Sequence, residues 1–355
     1  MKIFFVVGTR PNLIKLSPLS AIASKFPTLD FKVVHTNQHY DYNMSMVFFD
    51  ELDIPPPDFF LEADNTTQTR QTASIMVAFE DLCIKEKPDA VVVFGDVNST
   101  VAAALVASKL LIPSFHIESG LRSFNRSMPE EINRLISDHI CDVLYAPSDV
   151  AMRNLKNEGL SEKSINTGDI MFDAVKRNIK LAEKKSTVLK KLKLEPDTYY
   201  LTTLHRPYNV DNKEVLTNIM QSFYELDKKI VFAVHPRTLK NLKQFNIKTP
   251  SNIITTDPLG YFDFLLLQKN CCKIITDSGG IQKEAFFLKK PCITLRPETE
   301  WVETIKCNAN TLVKSRSKKD ILNAISEQKS ADFSKEIYGK GNSAEVILND
   351  IRKRF

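Results

Sequence analysis

The sequence predicts an α/β protein of two lobes, each a parallel sheet covered by helices on both faces. Short apolar runs rich in β-branched residues alternate with amphipathic segments, which is typical of Rossmann-like folds. The alternation stops over the charged stretch Leu181–Asp197 and then restarts. A chain of 355 residues also exceeds what one core usually holds. We therefore expect two Rossmann-like lobes with the active site in the cleft between them, where ligands meet strand ends.

The first lobe is predicted over residues 1–180. Its candidate strands are Ile3–Val7, Lys32–His35, Ala90–Phe94, Ser114–Ile117 and Val143–Tyr145. Its candidate helices are Leu13–Ser24, Met44–Leu52, Thr66–Glu86, Ser99–Lys109 and Glu130–Ile140. The last segment, 342–355, is predicted to be a helix that packs back on this lobe.

The second lobe is predicted over residues 181–341. Its candidate strands are Tyr199–Thr203, Ile230–Val234, Ile253–Thr256, Lys273–Thr276 and Cys292–Leu295. Its candidate helices are Lys213–Leu226, Leu239–Phe245, Phe262–Lys269, Ile281–Leu288 and Asp320–Gln328. The same alternation thus predicts a second parallel sheet.

Composition narrows the class of protein. The net charge of +5 suits an anionic small molecule and is too small and dispersed to predict nucleic-acid binding. The six cysteines form no CxxC pair, so we expect no zinc site and a reducing, cytoplasmic setting. No apolar run is long enough for a signal segment or a membrane span, so no membrane partner is expected.

The first strand leads into Gly8-Thr9-Arg10-Pro11-Asn12-Leu13-Ile14-Lys15. Gly8 permits a tight turn and Pro11 favours a helix first turn. Arg10 and Lys15 would then flank the positive end of a helix and bind an anion; the alternative is a plain turn with two surface cations. The fingerprint GxGxxG is absent here, which disfavours a nicotinamide cofactor.

Two acids follow the third and fourth strands. Asp96 lies in Phe94-Gly95-Asp96-Val97-Asn98-Ser99-Thr100 and could either cap a helix or act in catalysis. Glu118 ends the fourth strand, where burial would raise its pKa into the range of a general acid or base. The alternative is an ion-paired Glu118, for example with Arg122.

The segment Pro129-Glu130-Glu131 predicts a helix first turn, with acids that complement the helix dipole. Glu130 and Arg134 are four residues apart and would share a helix face. We interpret Glu131 as a charge that stabilises the helix start. Arg122 and Arg126 are interpreted as residues that order the loop, whereas Arg134 is a candidate for substrate contact.

In the second lobe His205 and Arg206 follow the first strand. His205 could titrate near neutrality or donate to a phosphate oxygen, and Arg206 could bind phosphate with two donors. His235 and Arg237 repeat the arrangement one strand later. The turn Ser278–Gly280 lies at a strand-to-helix junction, where backbone N–H groups favour a diphosphate; the alternative is a small-residue turn required by packing. Structural roles are assigned to three further histidines, His35, His39 and His139.

Seven motifs together resemble the non-hydrolysing UDP-N-acetylglucosamine 2-epimerases: GTRPNLIKLSP, FGDVNST, HIESGLRSFNRSMPEEINR, TGDIMFDA, LHRP, TDSGGIQKEA and ETEWVET. The resemblance covers most of the chain. It implies a two-lobed fold similar to GT-B glycosyltransferases and usually a homodimer. It also implies an isomerase that interconverts UDP-GlcNAc and UDP-ManNAc, without a metal or a redox cofactor.

The resemblance also implies roles for single residues. The catalytic carboxylates match Asp96, Glu118 and Glu130, and His205 matches the histidine near the diphosphate. Substrate-binding positions match Arg10 and Lys15. The phosphate turn matches Ser278, Gly279 and Gly280, and the ribose acceptor matches Glu284.

The chain departs from the family pattern at three places. Asn12 stands where a glutamate is common, and Thr299-Glu300-Trp301-Val302-Glu303 stands where many members carry TERPE. The region Gln38–Met44 differs from the bacterial allosteric motif. Several motifs also resemble the branch that acts on UDP-2,3-diacetamido-2,3-dideoxy-glucuronate, so this substrate is an alternative. Further alternatives are a GT-B glycosyltransferase, a hydrolysing epimerase and a nucleotide-sugar sensor without activity.

The expected reaction begins with cleavage of the anomeric C–O bond, because the C2 hydrogen is not next to a carbonyl. Loss of UDP and of the C2 proton would give a 2-acetamidoglucal, and return of both with the proton on the other face would complete inversion. One base cannot easily serve both faces of C2. Glu118 and Glu130 are therefore candidates for the two proton-transfer groups.

Overall fold

The computed structural model describes residues 1–38, 48–257, 259–327 and 329–355. The chain divides into two compact units. Unit 1 comprises Met1–Ala174 with Glu336–Phe355, and unit 2 comprises Val175–Lys335. Among the described residues, no helix combines the length and apolar character needed to cross a membrane.

Unit 1 contains a seven-stranded sheet whose paired strands are all parallel, in the order β3-β2-β1-β4-β5-β6-β7. The strands are β1 Lys2–Val7, β2 Asp30–His35, β3 Phe59–Phe60, β4 Ala90–Phe94, β5 Ser114–Ile117, β6 Val143–Ala146 and β7 Ser164–Asn166. The central strands β1, β4 and β5 are buried almost throughout, since helices cover both faces. The predicted parallel α/β architecture is confirmed.

The helices of unit 1 are α1 Arg10–Ile22, α2 Gln68–Glu86, α3 Asn98–Lys109, α4 Pro129–Ile140, α5 Asp149–Asn157, α6 Ile170–Lys185, which runs on into unit 2, and the C-terminal α15 Ser343–Arg354. The small residues Ala102–Ala104 let α3 pack closely in the interior, where they are fully buried. The C-terminal helix contacts α1. It is held by the Asp173 carboxylate, which accepts from the backbone N–H of Ala344 at 2.8 Å.

Unit 2 contains a six-stranded sheet, also with parallel pairs, in the order β10-β9-β8-β11-β12-β13. The strands are β8 Tyr199–Thr203, β9 Lys229–Ala233, β10 Ile253–Thr256, β11 Lys273–Thr276, β12 Cys292–Thr294 and β13 Asn310–Leu312. The helices are α7 Val188–Lys191, α8 Pro207–Val210, α9 Lys213–Tyr224, α10 Pro236–Gln244, α11 Tyr261–Asn270, α12 Gly279–Phe287, α13 Val302–Lys306 and α14 Lys318–Ser326.

The predicted strands all correspond to observed strands, whose ends differ by two residues at most. Prediction missed β3, β7 and β13 because two or three residues are too few to show a periodic pattern. It also missed the helices α5, α6, α7, α8 and α13, of which α7 lies within the charged stretch Leu181–Asp197. The predicted helix Met44–Leu52 lies partly outside the described residues, of which 48–52 are helical.

Candidate active site

The unit 1 site is built at the carboxyl ends of three adjacent strands. Lys15 lies in α1, which follows β1, and the loops after β4 and β5 carry Asp96 and Glu118. The parallel order therefore brings these groups to one edge of the sheet. Gly95 and Glu118 have φ angles of 62° and 72°. Both residues therefore turn the chain out of the sheet in a conformation that favours glycine.

Lys15 and Glu118 form a buried ion pair, with side-chain exposures of 9% and 8%. Gly95 makes room for it, because a Cβ there would lie 2.8 Å from the Lys15 Nζ and 3.1 Å from the Glu118 Oε2. Lys15 is thus buried beside a predicted catalytic acid, so the alternative of a surface cation is wrong for this residue. The partner of Glu118 is Lys15 and not Arg122, which pairs with Asp138 and Glu158.

Arg134 joins two acids. Its Nε and Nη2 lie 2.9 and 2.6 Å from the Asp96 Oδ2, and its Nη1 donates to the Glu131 Oε2 at 2.9 Å. Asp96 therefore does not cap α3, whose start carries no side-chain cap. The buried Arg134 is engaged by protein carboxylates through all three of its nitrogens.

Glu131 does more than place negative charge at a helix start. Its carboxylate accepts from the backbone N–H groups of Ser123 and Phe124 and from the Ser123 hydroxyl, at 2.8–2.9 Å. Burial alone would raise the pKa of Glu131, but the bonds from Ser123, Arg134 and Phe124 lower it overall. Glu131 thus holds the loop before α4, a role that the sequence did not reveal.

Glu130, its neighbour, is half-buried and has no hydrogen-bond or ion-pair partner among the residues that the structure describes. It lines a cavity of about 700 Å³ together with Arg10 and Asp96. Arg10 lies over the Phe48 ring, 5.0 Å from the ring centroid. The cavity therefore contains three of the predicted site residues, all from unit 1.

Side-chain amides line much of the same cavity, and sequence reasoning missed them: Gln38, Asn65, Gln71, Asn98 and Asn133. They are joined by hydrogen bonds, for example from Asn98 Nδ2 to Gln71 Oε1 at 2.8 Å and from Gln71 Nε2 to the Gln38 carbonyl at 2.9 Å. The available sequence signal was Gln71, which is at helical spacing from the apolar residues Ile75 and Phe79. The apolar face of a helix is an unusual place for an amide.

Asn12, which departs from the family pattern, closes the turn between β1 and α1. Its Oδ1 accepts from the backbone N–H groups of Gly8 and Thr9, each at 3.2 Å, and its Nδ2 donates to the Phe94 carbonyl at 3.2 Å. The side chain is buried, with 2% exposure. Asn12 therefore fixes the first loop of the site against β4.

The unit 2 site is organised by Asp277, which directly follows β11 and is fully buried. Its carboxylate accepts from the backbone N–H groups of His205 and Arg206 and lies 3.0 Å from the His205 Nδ1. Burial alone would raise the pKa of Asp277, but hydrogen bonds from His205, Asn209 and Arg206 lower it overall. Sequence reasoning assigned Asp277 no role.

His205 therefore has a fixed orientation. Its Nδ1–H donates to Asp277, so its Nε2 is the nitrogen left for a ligand. The Arg206 side chain is half-buried next to it, and its Nε has no hydrogen-bond partner among the described residues. These two side chains follow β8, which is paired with β11, and so lie beside the turn after β11.

The turn Ser278–Gly280 begins α12, whose N-terminus has no side-chain cap. A Cβ at Gly280 would meet no atom of the described residues within 4 Å, so they leave the space beside the first turn open. Glu284, further along the helix, is buried and accepts from Gln268 Nε2 at 2.6 Å. A helix start with bare N–H groups in open space can bind an anion.

The remaining histidines have structural settings. Burial lowers the pKa of His35 to about 4, and its ring stacks on Phe60 with 4.9 Å between centroids. His235 caps α10, and Arg237 pairs with Asp211 at the surface. His139 is exposed, and His39 lies outside the described residues.

The comparisons with known proteins agree on one family. The family profile described as UDP-N-acetylglucosamine 2-epimerase matches residues 22–352. A protein of Methanocaldococcus jannaschii with the name UDP-N-acetylglucosamine 2-epimerase is 45% identical, over 98% of each chain. A Pseudomonas aeruginosa protein named UDP-2,3-diacetamido-2,3-dideoxy-D-glucuronate 2-epimerase is 40% identical, over 99% of this chain and 100% of the relative.

A solved structure indicates the same family. The crystal structure of the M. jannaschii UDP-GlcNAc 2-epimerase in complex with UDP-GlcNAc and UDP has a TM-score of 0.89 and 44% identity, covering 99% of this chain and 100% of that one. The predicted GT-B-like fold, with two parallel α/β sheets, is thereby confirmed. The chain belongs to the UDP-N-acetylglucosamine 2-epimerase family.

Proposed function

We propose that the chain is a non-hydrolysing 2-epimerase that interconverts UDP-GlcNAc and UDP-ManNAc. The supporting observation is the set of three acids in unit 1, each in a different electrostatic setting. Glu118 faces the ammonium of Lys15, and Asp96 faces the guanidinium of Arg134. Glu130 has no charged partner within the described part of the chain. Acids in such different settings suit different proton-transfer roles.

The reaction proceeds by elimination and re-addition. The anomeric C–O bond breaks and its electron pair leaves with UDP, which gives C1 cationic character. A carboxylate then removes the acidified C2 proton, leaving a 2-acetamidoglucal. A second acid delivers a proton to the opposite face of C2 while the UDP oxygen adds back to C1, so atoms and charges balance.

The residues divide between leaving-group binding and proton transfer. In unit 2 the helix start at Ser278–Gly280 binds the diphosphate with His205 and Arg206, which stabilises the departing UDP. Glu284 accepts hydrogen bonds from the ribose. In unit 1 Glu130 is the candidate for direct proton transfer, since no cationic side chain of the described residues forms an ion pair with it.

Glu118 is the second proton-transfer candidate. The Lys15 ammonium beside it stabilises the carboxylate form of Glu118, which is present before it takes a proton or after it gives one up. Asp96 is held by Arg134 and keeps a side-chain exposure of 27%, so it can contact the sugar while its orientation stays fixed. Arg10 is placed in the same cavity as Asp96 and can bind the anionic substrate.

Turnover of UDP-GlcNAc in D2O tests the proposal, with products identified by NMR. We expect UDP-ManNAc with deuterium at C2. Epimer formed without deuterium at C2 would refute the mechanism. Free ManNAc and UDP as stable products would indicate a hydrolysing epimerase, and sugar transfer to an added acceptor would indicate a glycosyltransferase.

A second candidate substrate is UDP-2,3-diacetamido-2,3-dideoxy-glucuronate. Its support is the Pseudomonas relative of that name, which is 40% identical over the full length. Parallel NMR assays with both nucleotide sugars discriminate between the two. Conversion of only the diacetamido uronate would replace the first proposal while keeping the reaction type.

We also propose that the protein is a cytoplasmic homodimer. The helix α2 places Val77 and Ile84, two turns apart, on one face with exposures of 63% and 59%. The six cysteines are all free thiols, which is consistent with a reducing compartment. Light scattering of the native protein and of Val77→Lys tests the dimer; a monomeric native protein would refute it.

A further inference from the structure

The ring of His116 is fully buried beneath the carboxyl edge of the unit 1 sheet. Its Nδ1 lies 2.8 Å from the Asp138 Oδ1, and its Nε2 lies 2.7 Å from the Gly95 carbonyl oxygen. A carboxylate and a carbonyl oxygen are both acceptors. Both ring nitrogens must therefore donate, and the ring carries a proton on each of them.

Asp138 is held as the anion in this pair. Its other oxygen lies 2.7 Å from the Arg122 Nη1 and accepts from the backbone N–H of Gly120 at 3.0 Å. Burial alone would raise the pKa of Asp138, but the bonds and charges of His116 and Arg122 lower it overall. The shared proton thus belongs to the histidine ring.

Arg122 is fixed in turn by Glu158. Its Nε and Nη2 donate to the two carboxylate oxygens at 2.7 and 2.6 Å, and its Nη1 also donates to the Leu121 carbonyl. Buried ion networks of this kind gain little net stability, because desolvation offsets their attraction. Their main effect is to fix the orientation of the groups that they join.

The network joins the backbone just before one predicted catalytic acid, Asp96, to the backbone just after another, Glu118. Its histidine end binds the Gly95 carbonyl, one residue before Asp96. Its carboxylate end binds the Gly120 N–H, two residues after Glu118. Glu118 itself has a φ of 72°, which a non-glycine residue adopts only when the surrounding structure holds it there.

We propose that His116 is a positioning residue, a doubly donating clamp that fixes the Asp96 turn relative to the Glu118 turn. It does not touch the substrate. Its removal leaves the substrate's binding groups in unit 2 intact but lets the acids move. This inference rests on the proposed epimerase function, because it assigns His116 to the positioning of that site.

The test compares His116→Phe, which fills the volume without a donor, with His116→Gln, which can still donate to the Gly95 carbonyl. A misplacement near 1 Å costs about 10²-fold in rate, so we expect kcat of the Phe variant to fall about 10²-fold with KM little changed. The Gln variant should recover about tenfold of that loss. His139→Gln, at an exposed position in the same helix as Asp138, is the matched control and should retain full activity.

A folded His116→Phe protein with native kcat would overturn the proposal, as would a Gln variant no better than the Phe variant. If the Phe variant does not fold, a native kcat in the Gln variant likewise overturns it. Nitrogen-15 NMR of the labelled native protein gives an independent reading: two protonated ring nitrogens are expected, and one bare nitrogen contradicts the clamp. If the native protein epimerises neither nucleotide sugar, the proposed function fails while the NMR result still decides the state of His116.

Discussion

The adjacent acids Glu130 and Glu131 offer a sharp test, because the structure gives them opposite roles. Glu131 is 2% exposed and accepts four hydrogen bonds, from the Ser123 N–H and hydroxyl, the Phe124 N–H and the Arg134 guanidinium. Glu130 accepts none from the described residues. Exchange of each carboxylate for an amide should therefore have different consequences.

Glu131→Gln puts an amide nitrogen where one carboxylate oxygen accepted. One donor loses its acceptor, which costs about 1–3 kcal/mol, and the bonds that remain lose their charge assistance. We expect the free energy of unfolding to fall by about 2–4 kcal/mol. Glu130→Gln should change it by less than about 0.5 kcal/mol but should lower kcat by about 10²–10⁴-fold.

Urea unfolding measures the free energy of unfolding, and an unchanged m-value is the control for a two-state comparison. The pH dependence of the free energy of unfolding gives a second test. The folded-state pKa of Glu131 lies below its ordinary value of 4.5. Its stabilising contribution is therefore fully present above pH 4.5 and is lost as the pH falls through the folded pKa, so the native protein and the Glu131→Gln variant should converge in acid.

The reasoning fails if Glu131→Gln unfolds within about 0.5 kcal/mol of the native protein, or if Glu130→Gln is the less stable of the two. It also fails if the stability difference between the native protein and Glu131→Gln grows as the pH falls below 4.5. Full activity in Glu130→Gln would remove that residue from the proposed mechanism while leaving the account of Glu131 intact.

Three further substitutions follow from the contacts. Asn12→Ala leaves two backbone N–H groups without their acceptor and should cost about 1–3 kcal/mol in urea unfolding; an unchanged midpoint would contradict this. Arg122→Met removes the guanidinium from the buried Asp138 Oδ2, while the His116 ring still donates to Oδ1. It should cost about 1–3 kcal/mol in the same assay, and a loss under about 0.5 kcal/mol would count against it. Gly280→Ala should raise the melting temperature through helix propensity yet weaken UDP binding by calorimetry, since its methyl enters open space at the helix start; undiminished affinity would refute the phosphate site.

Sequence alone predicted the two parallel sheets and the placement of the polar motifs at strand ends. This worked because burial on both faces leaves a local pattern of continuous apolar runs, as in β4 with the sequence Ala90–Phe94. The strand-end rule then placed Asp96 and Glu118 at one edge without any knowledge of contacts. Very short strands such as β13 lacked such a pattern, because pairing with a neighbour defines them.

Partner choice was decided by the tertiary structure. Helical spacing suggested that Arg134 would face Glu130, whereas the folded chain pairs it with Asp96 and Glu131. The loop before α4 needs an acceptor for its N–H groups, and Glu131 supplies it, so Glu130 is not used for this contact and is available for its proposed role. Local sequence determines which face a side chain occupies, but competition among groups from distant loops decides which ones pair, and that competition exists only once the chain is folded.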